Sequence, residues 1–138
     1  MKLVLDTNIY TDYAEGVAET VDYMGSHGQS LHLPAVVVGE IRIGFMTGTQ
    51  LQRNERRFRQ FVSRLGVEII PVDADVARKY AIIYTSLRKK GRPIPLNDVW
   101  IAACCMEIGG TLLTRDKHFR MVDQIETVVL SWTAPQSA

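Results

Sequence analysis

Apolar residues recur along this chain in two different rhythms. Short, mostly apolar runs at Lys2 to Leu5, Leu31 to Leu33, Val67 to Ile70, Thr111 to Leu113 and Thr127 to Val129 have the length of buried strands. Between them the spacing changes to three and four residues. Thr7 to Glu15 carries Ile9, Tyr10, Tyr13 and Ala14 at helical spacing and stops near Gly16, and Val17 to Met24 forms a second helix. Pro34 is expected to start a third, where its missing N–H would have no partner in any case. Residues 51–65 place Leu51, Phe58, Phe61, Val62 and Leu65 on one face, with Arg53, Arg56, Arg57, Arg59 and Arg64 on the other. After Asp73 or Asp75 as an N-cap, Val76, Tyr80, Ile83, Tyr84 and Leu87 repeat at the same period. Arg88, Lys89 and Lys90 then suit the negative end of the helix dipole, Gly91 a left-handed stop, and Pro93 blocks continuation. A last helix is expected from Asp98 to Ile108, closed by Gly109-Gly110.

Strands separated by helices need crossover connections, which predicts an α/β fold with a mainly parallel sheet of about five short strands flanked by helices. No repeat or composition break divides the chain, so residues 1–130 are expected to form one domain and 131–138 a loose C-terminal tail. A chain of 138 residues with 46% hydrophobic content buries a core without disulfides. Cys104 and Cys105 are adjacent, cannot staple distant segments, and are expected to be reduced. No apolar stretch is long enough to span a bilayer and the amino terminus lacks a secretory signal, so the expectation is a cytoplasmic protein without membrane contact. A net charge of +1 decides nothing about nucleic acid, because binding follows the distribution of charge. His27, His32 and His118 lack zinc spacing, and there is no glycine-rich phosphate loop.

Four acids change the picture. Asp6 ends the first apolar run and Asp116 follows Leu112-Leu113-Thr114-Arg115 in the same way, so both stand past the carboxyl ends of strands, where open α/β sheets bind ligands. Asp98 opens a helix, and Glu40 interrupts an apolar run with Val36, Val37, Ile43 and Gly44 as its neighbours one turn away. Singly, Asp6 and Asp98 have the bland reading of helix caps and Asp116 that of a turn residue. Together, carboxylates converging in a partly buried crevice repel one another and require a proton or a cation. Oxygen donors of this kind suit Mg²⁺, with Mn²⁺ as the alternative.

The segments Leu5-Asp6-Thr7-Asn8-Ile9, Gly39-Glu40-Ile41-Arg42-Ile43-Gly44, Asn97-Asp98-Val99-Trp100-Ile101-Ala102-Ala103 and Leu113-Thr114-Arg115-Asp116-Lys117-His118-Phe119 resemble the four acidic motifs of PIN-domain ribonucleases. Within that family the chain is most similar to VapC-type toxins of toxin–antitoxin pairs, over roughly residues 2 to 130. The resemblance implies endonucleolytic cleavage of RNA leaving a 5′-phosphate and a 3′-hydroxyl. It also implies a homodimer, a small cognate antitoxin, and operator DNA bound through the antitoxin. Asp6, Glu40, Asp98 and Asp116 become the candidate catalytic residues, with Asp6 and Asp98 as direct metal ligands. Asp116 completes the first shell or holds a second ion, and Glu40 either ligates metal or orients water. Thr114 and Asn8 would fix carboxylate rotamers. Basic candidates for RNA are the Arg53 to Arg64 face, the cluster Arg88, Lys89, Lys90 and Arg92, and Arg115 with Lys117; Tyr10, Tyr13 or Trp100 would stack on bases if exposed. The alternatives are an RNA-processing or quality-control nuclease, or a catalytically silent RNA-binding or interaction module on the same fold.

Overall fold

The computed structural model describes residues 1–131, so the expected tail lies almost wholly outside the described residues. Strands β1 (Lys2–Leu5), β2 (Ser30–Pro34), β3 (Glu68–Ile70), β4 (Thr111–Thr114) and β5 (Glu126–Val129) form one sheet in the order β3-β2-β1-β4-β5. Every pairing is parallel, with Leu3 of β1 opposite Leu31 on one side and Thr111 on the other. Six helices connect them: α1 (Thr7–Ala14), α2 (Ala18–His27), α3 (Ala35–Thr47), α4 (Leu51–Leu65), α5 (Ala74–Lys90) and α6 (Leu96–Ile108). Successive residues Leu3, Val4 and Leu5, and likewise Leu112 and Leu113, are fully buried, so the central strands are covered on both faces. This is why their sequences are continuous apolar runs.

The strand order fixes where a ligand can sit. The chain builds from β1 outward to β3, then returns to place β4 on the other side of β1. β1 and β4 therefore flank a topological switch point, and the crevice lies beyond their carboxyl ends. There the backbone N–H of Asp6 still donates to Leu113 O at 3.1 Å, so the first residue past β1 is held against β4.

Several boundaries differ from the sequence reading, for local reasons. Pro34 is the last residue of β2 and caps α3 from outside, because its extended backbone fits the strand end as well as a helix start. Pro95 likewise precedes α6, which begins at Leu96 and not at Asp98. Of the two candidate aspartates, Asp73 is the cap of α5, accepting from Val76 N at 2.9 Å, and Asp75 lies within the first turn. Gly91 takes up the expected left-handed stop at φ 65°, as does Gly109 at φ 63°. The 3₁₀ helix Lys117–Met121 escaped the sequence reading because a single turn carries no periodic signal. Among the described residues no helix is long and apolar enough to cross a membrane.

Glycines report how tightly β1 and β4 pack. A Cβ at Gly110, just before β4, would lie 2.8 Å from Val4 Cγ2 and 3.2 Å from Lys2 O, whereas one at Gly25 in α2 meets nothing within 4 Å. Gly110→Ala is expected to lower unfolding free energy by about 1–3 kcal/mol through overpacking. Gly25→Ala should raise it by about 0.5–1 kcal/mol by restricting the unfolded helix segment. Urea denaturation of both variants checks the opposite signs.

Candidate active site

Asp6 leaves β1 in extended conformation and enters α1 as its N-cap, which turns its side chain back over the sheet end. Oδ1 accepts from Thr7 N at 2.8 Å, and Oδ2 accepts from Thr114 Oγ1 at 2.6 Å and Asn8 Nδ2 at 3.3 Å. The residue is 4% exposed. Among the described residues no lysine, arginine or histidine forms an ion pair with it. Burial therefore pushes its pKa up to about 6, the Thr114 and Thr7 hydrogen bonds oppose the rise, and the charges of Asp98 and Asp116 add to it.

Two side chains tie the β1 exit to the β4 exit. Asn8 donates from Nδ2 to Asp6 and, at 3.4 Å, to Asp116 Oδ2, while its Oδ1 accepts from Arg115 N at 3.2 Å. Thr114, fully buried at the end of β4, accepts from Asp116 N at 3.0 Å while donating to Asp6. Asp116 itself is exposed and its side chain caps nothing, although it stands before the 3₁₀ helix.

The other two acids come from helices aimed at the same crevice. Asp98 is the third residue of α6 and makes no capping bond, so its carboxylate is available to the site. Its Oδ2 lies 2.7 Å from His118 Nε2 in a charge contact without the alignment of a directed hydrogen bond. Partial burial raises the Asp98 pKa, His118 opposes this, and Asp116 adds to it. Glu40 accepts from Thr7 Oγ1 at 3.0 Å. Burial raises its pKa as well, against the Thr7 bond and reinforced by Asp98 and Asp116. Its setting differs from the sequence reading: the buried stripe of α3 is Val37 and Ile41, whereas Ile43 is 63% and Met46 68% exposed. Glu40 thus sits at the edge of the core.

The four expected acids share one electrostatic field. Among the described residues no three His, Cys, Asp or Glu side chains form a closed coordination set. Thr7 and His118 join the site although the sequence reading gave neither a role. Neither carries a local sequence signal: a threonine after an N-cap aspartate is common, and a lone histidine without zinc spacing has no ligand pattern.

Arg115 is corrected. Its side chain is 10% exposed and pairs with Asp12, while its other nitrogens reach Thr20 Oγ1 at 3.1 Å and Ser131 O at 2.8 Å. It is a buried tie between β4, α1, α2 and the segment after β5, and has no free face for RNA. Tyr10 is buried, whereas Trp100 is only partly buried. Tyr10 packs edge-on against Phe58 and Phe61, and Trp100 stacks on Tyr80 at 3.8 Å.

The sequence model of the PIN domain matches residues 3–125. The chain belongs to the PIN-domain family. Ribonuclease VapC5 of Mycobacterium tuberculosis is 30% identical over 93 residues, 67% of this chain and 69% of that protein. Ribonuclease VapC2 of Rickettsia felis is 25% identical over 130 residues, 91% of this chain and 95% of that protein. Among solved structures, FitAB bound to an IR36 DNA fragment superimposes with a TM-score of 0.80 at 27% identity, covering 92% of this chain and 94% of its own. VapBC2 from Rickettsia felis, bound to a DNA fragment from its promoter, shares the fold with a TM-score of 0.79 at 22% identity, over 94% and 98% of the two chains.

In this PIN domain the buried acid makes stability depend on pH. The folded Asp6 carboxyl holds its proton more tightly than the ordinary group at 3.8. Its contribution is therefore complete below the unfolded pKa and is lost as pH rises through about 6. Without divalent metal, the loss between pH 4 and pH 8 should be on the order of 2–3 kcal/mol for this group. Asp6→Asn should flatten that dependence in chelator-containing melts. Its own gain at pH 8 should be smaller, about 1 kcal/mol, because the new amide faces the Asn8 donor.

The second outcome concerns Arg115. Arg115→Lys should destabilise the fold by about 2–4 kcal/mol by stranding Asp12 and the Ser131 carbonyl. A double-mutant cycle with Asp12→Asn should show a coupling of about 1–3 kcal/mol. The salt dependence of RNA binding should not change in Arg115→Lys, since the residue touches no phosphate.

Proposed function

We propose that this chain is a divalent-metal-dependent endoribonuclease acting as the toxin of a type II toxin–antitoxin pair in the cytoplasm. The observation that carries the reading is the convergence of Asp6, Glu40, Asp98 and Asp116 at the β1/β4 switch point. Three of their pKa values are raised, and among the described residues no lysine or arginine pairs with any of them; only the His118 imidazole stands beside Asp98. A silent interaction module would have no use for four repelling carboxylates.

The donor set fits Mg²⁺ or Mn²⁺. All four acids offer hard oxygens, and their open arrangement agrees with an ion that keeps several waters and takes only one or two protein carboxylates. Asp6 and Asp98 would hold it, with Asp116 completing the set. When bound, the ion supplies a Lewis acid that activates water and offsets phosphate charge. Thr114 and Asn8 keep Asp6 in one rotamer while the site fills, and Thr7 does the same for Glu40. The raised pKa of Glu40 suits it to accept a proton from the attacking water. His118 stands on Asp98 at the rim, where it can meet a phosphate oxygen. Cleavage leaves a 5′-phosphate and a 3′-hydroxyl.

The antitoxin reading draws on the relatives' names and on one surface. An apolar groove of about 620 Å³ opens between α3, α4 and β3, lined by Val38, Gly39, Phe58, Val62 and Ile69 with Arg42 and Arg59 at its rim. It suits an apolar segment of a small antitoxin, through which the complex would bind operator DNA. Of the apolar residues on α4 and α5, Phe58, Phe61, Ile83 and Leu87 are buried, while Leu65 and Tyr84 stay exposed. Dimerisation would use the exposed remainder.

Purified chain should cleave RNA only with Mg²⁺ or Mn²⁺, lose activity in chelator, and be silenced when co-purified with the product of its adjacent small reading frame. Glu40→Gln should lower the rate by about 10²–10⁴-fold. Thr114→Val should weaken apparent metal affinity about 10–100-fold. Metal-independent cleavage, or full activity of Asp98→Asn, would contradict the metal site; sequencing the RNA ends checks the products.

A further inference from the structure

Outside the carboxylate crevice, the exposed α4 face is one of the basic candidates for RNA, and the structure gives it a defined shape. Arg53, Arg57, Gln60 and Arg64 recur at intervals of four, three and four residues and so form one helical stripe, about 16 Å long at 1.5 Å per residue. All three arginines are exposed, and among the described residues none forms an ion pair. Glu55, the one acid on α4, is already taken by Arg42 at 3.0 Å.

The stripe borders a groove, which distinguishes it from a solvated helix face. Two clefts of about 280 and 290 Å³ run along the seam between α1 and α4 and share Tyr10, Ala14 and Arg57. The first is lined by Thr11, Glu15, Arg53 and Asn54, the second by Tyr13, Gln60 and Arg64. Thr11 stands one helical turn along α1 from Thr7, whose hydroxyl is bonded to Glu40. The seam therefore begins within a turn of the acids.

We propose that the α1–α4 seam is a phosphate-binding track for single-stranded RNA, carrying the strand past the carboxylate crevice. The proposal rests on the ribonuclease reading and adds its substrate path. An acidic site repels a polyanion, so attraction must come from neighbouring cations. Unpaired guanidinium groups bind phosphate oxygens in a bidentate fork. Arg53, Arg57 and Arg64 are spaced about 6 and 10 Å along the axis, which lets one strand meet them in turn. A protein partner is disfavoured here because the seam mixes polar and apolar walls and carries arginines without ion-pair partners among the described residues, while the more apolar anchors that protein interfaces use lie in the α3–α4 groove. Glu15 is the single carboxylate in the seam, at the Arg53 end.

The test measures binding of a labelled single-stranded RNA of mixed sequence to the full chain carrying Glu40→Gln, across salt concentrations. Each of Arg53→Ala, Arg57→Ala and Arg64→Ala should reduce the slope of log Kd against log salt by about 0.7, and the triple variant by about 2. Between 50 and 200 mM salt the wild-type seam should then lose roughly 20-fold more affinity than the triple variant. With Glu40 restored, the triple variant should raise KM and leave kcat within about twofold. Arg78→Ala, whose guanidinium pairs with Asp75 at 3.4 Å on another helix, should leave the slope unchanged. A triple variant that keeps the wild-type slope, or that keeps it while losing its protein partner, overturns the proposal. Wild type that fails to cleave any RNA would defeat the ribonuclease reading instead, and the slopes would still decide the track.

Discussion

The structure turns on one unfavourable arrangement: a carboxylate, Asp6, held 4% exposed at the end of the central strand with three hydrogen-bond donors and, among the described residues, no counter-ion. Hydrogen bonds lower the cost of burying that charge but do not remove it, which is why the pKa stays near 6. Asp98 and Asp116 add repulsion from α6 and the β4 exit. A fold maintains such a cluster only where the surrounding packing overdetermines it. Here the fully buried β1 and β4, together with the tight approach of Gly110 to Val4, supply that rigidity.

The supporting residues are organised around the same constraint. Asn8 and Thr114 each contact both Asp6 and the Asp116 residue, so the ends of β1 and β4 cannot separate without breaking both links. Arg115 anchors this junction from behind by binding Asp12, one turn of α1 beyond Asn8. The β4 exit thus alternates roles: Thr114 and Asp116 serve the crevice, while Arg115 turns away to hold the scaffold. Positive charge that meets substrate must then come from elsewhere; among the described residues Arg53, Arg57 and Arg64 of α4 are exposed and in no ion pair, as are Arg88, Lys89, Arg92 and Lys117.

Much of this was legible in the sequence because the acids stand at chemically marked places. Asp6 and Asp116 follow apolar runs that are strands, and strand–helix alternation implies a parallel sheet whose carboxyl ends form the crevice. What escaped the sequence depends on rotation and tertiary partners. Glu40 was assigned to a core-facing stripe because its neighbours are apolar, yet Ile43 and Met46 point to solvent; composition does not reveal which apolar face a sheet covers. Arg115 read as a substrate contact because its partner Asp12 lies over a hundred residues away in the chain. Asp98 seemed to open its helix, whereas the start at Leu96 leaves its side chain free of capping and available to the site. Tyr10 follows the commoner fate of aromatics and packs inward, while Trp100 stacks on Tyr80 and stays partly buried.

Proton release on metal binding tests the central claim most directly. If Asp6 is the buried, partly protonated acid that the ion must ionise, calorimetric titration of Mg²⁺ at pH near 6 in buffers of different ionisation enthalpy should release about half a proton per ion from this group. That release should vanish by about pH 8, where the carboxyl is already ionised. Binding of Mg²⁺ without proton release at either pH, or an unchanged release in Asp6→Asn, would contradict the account.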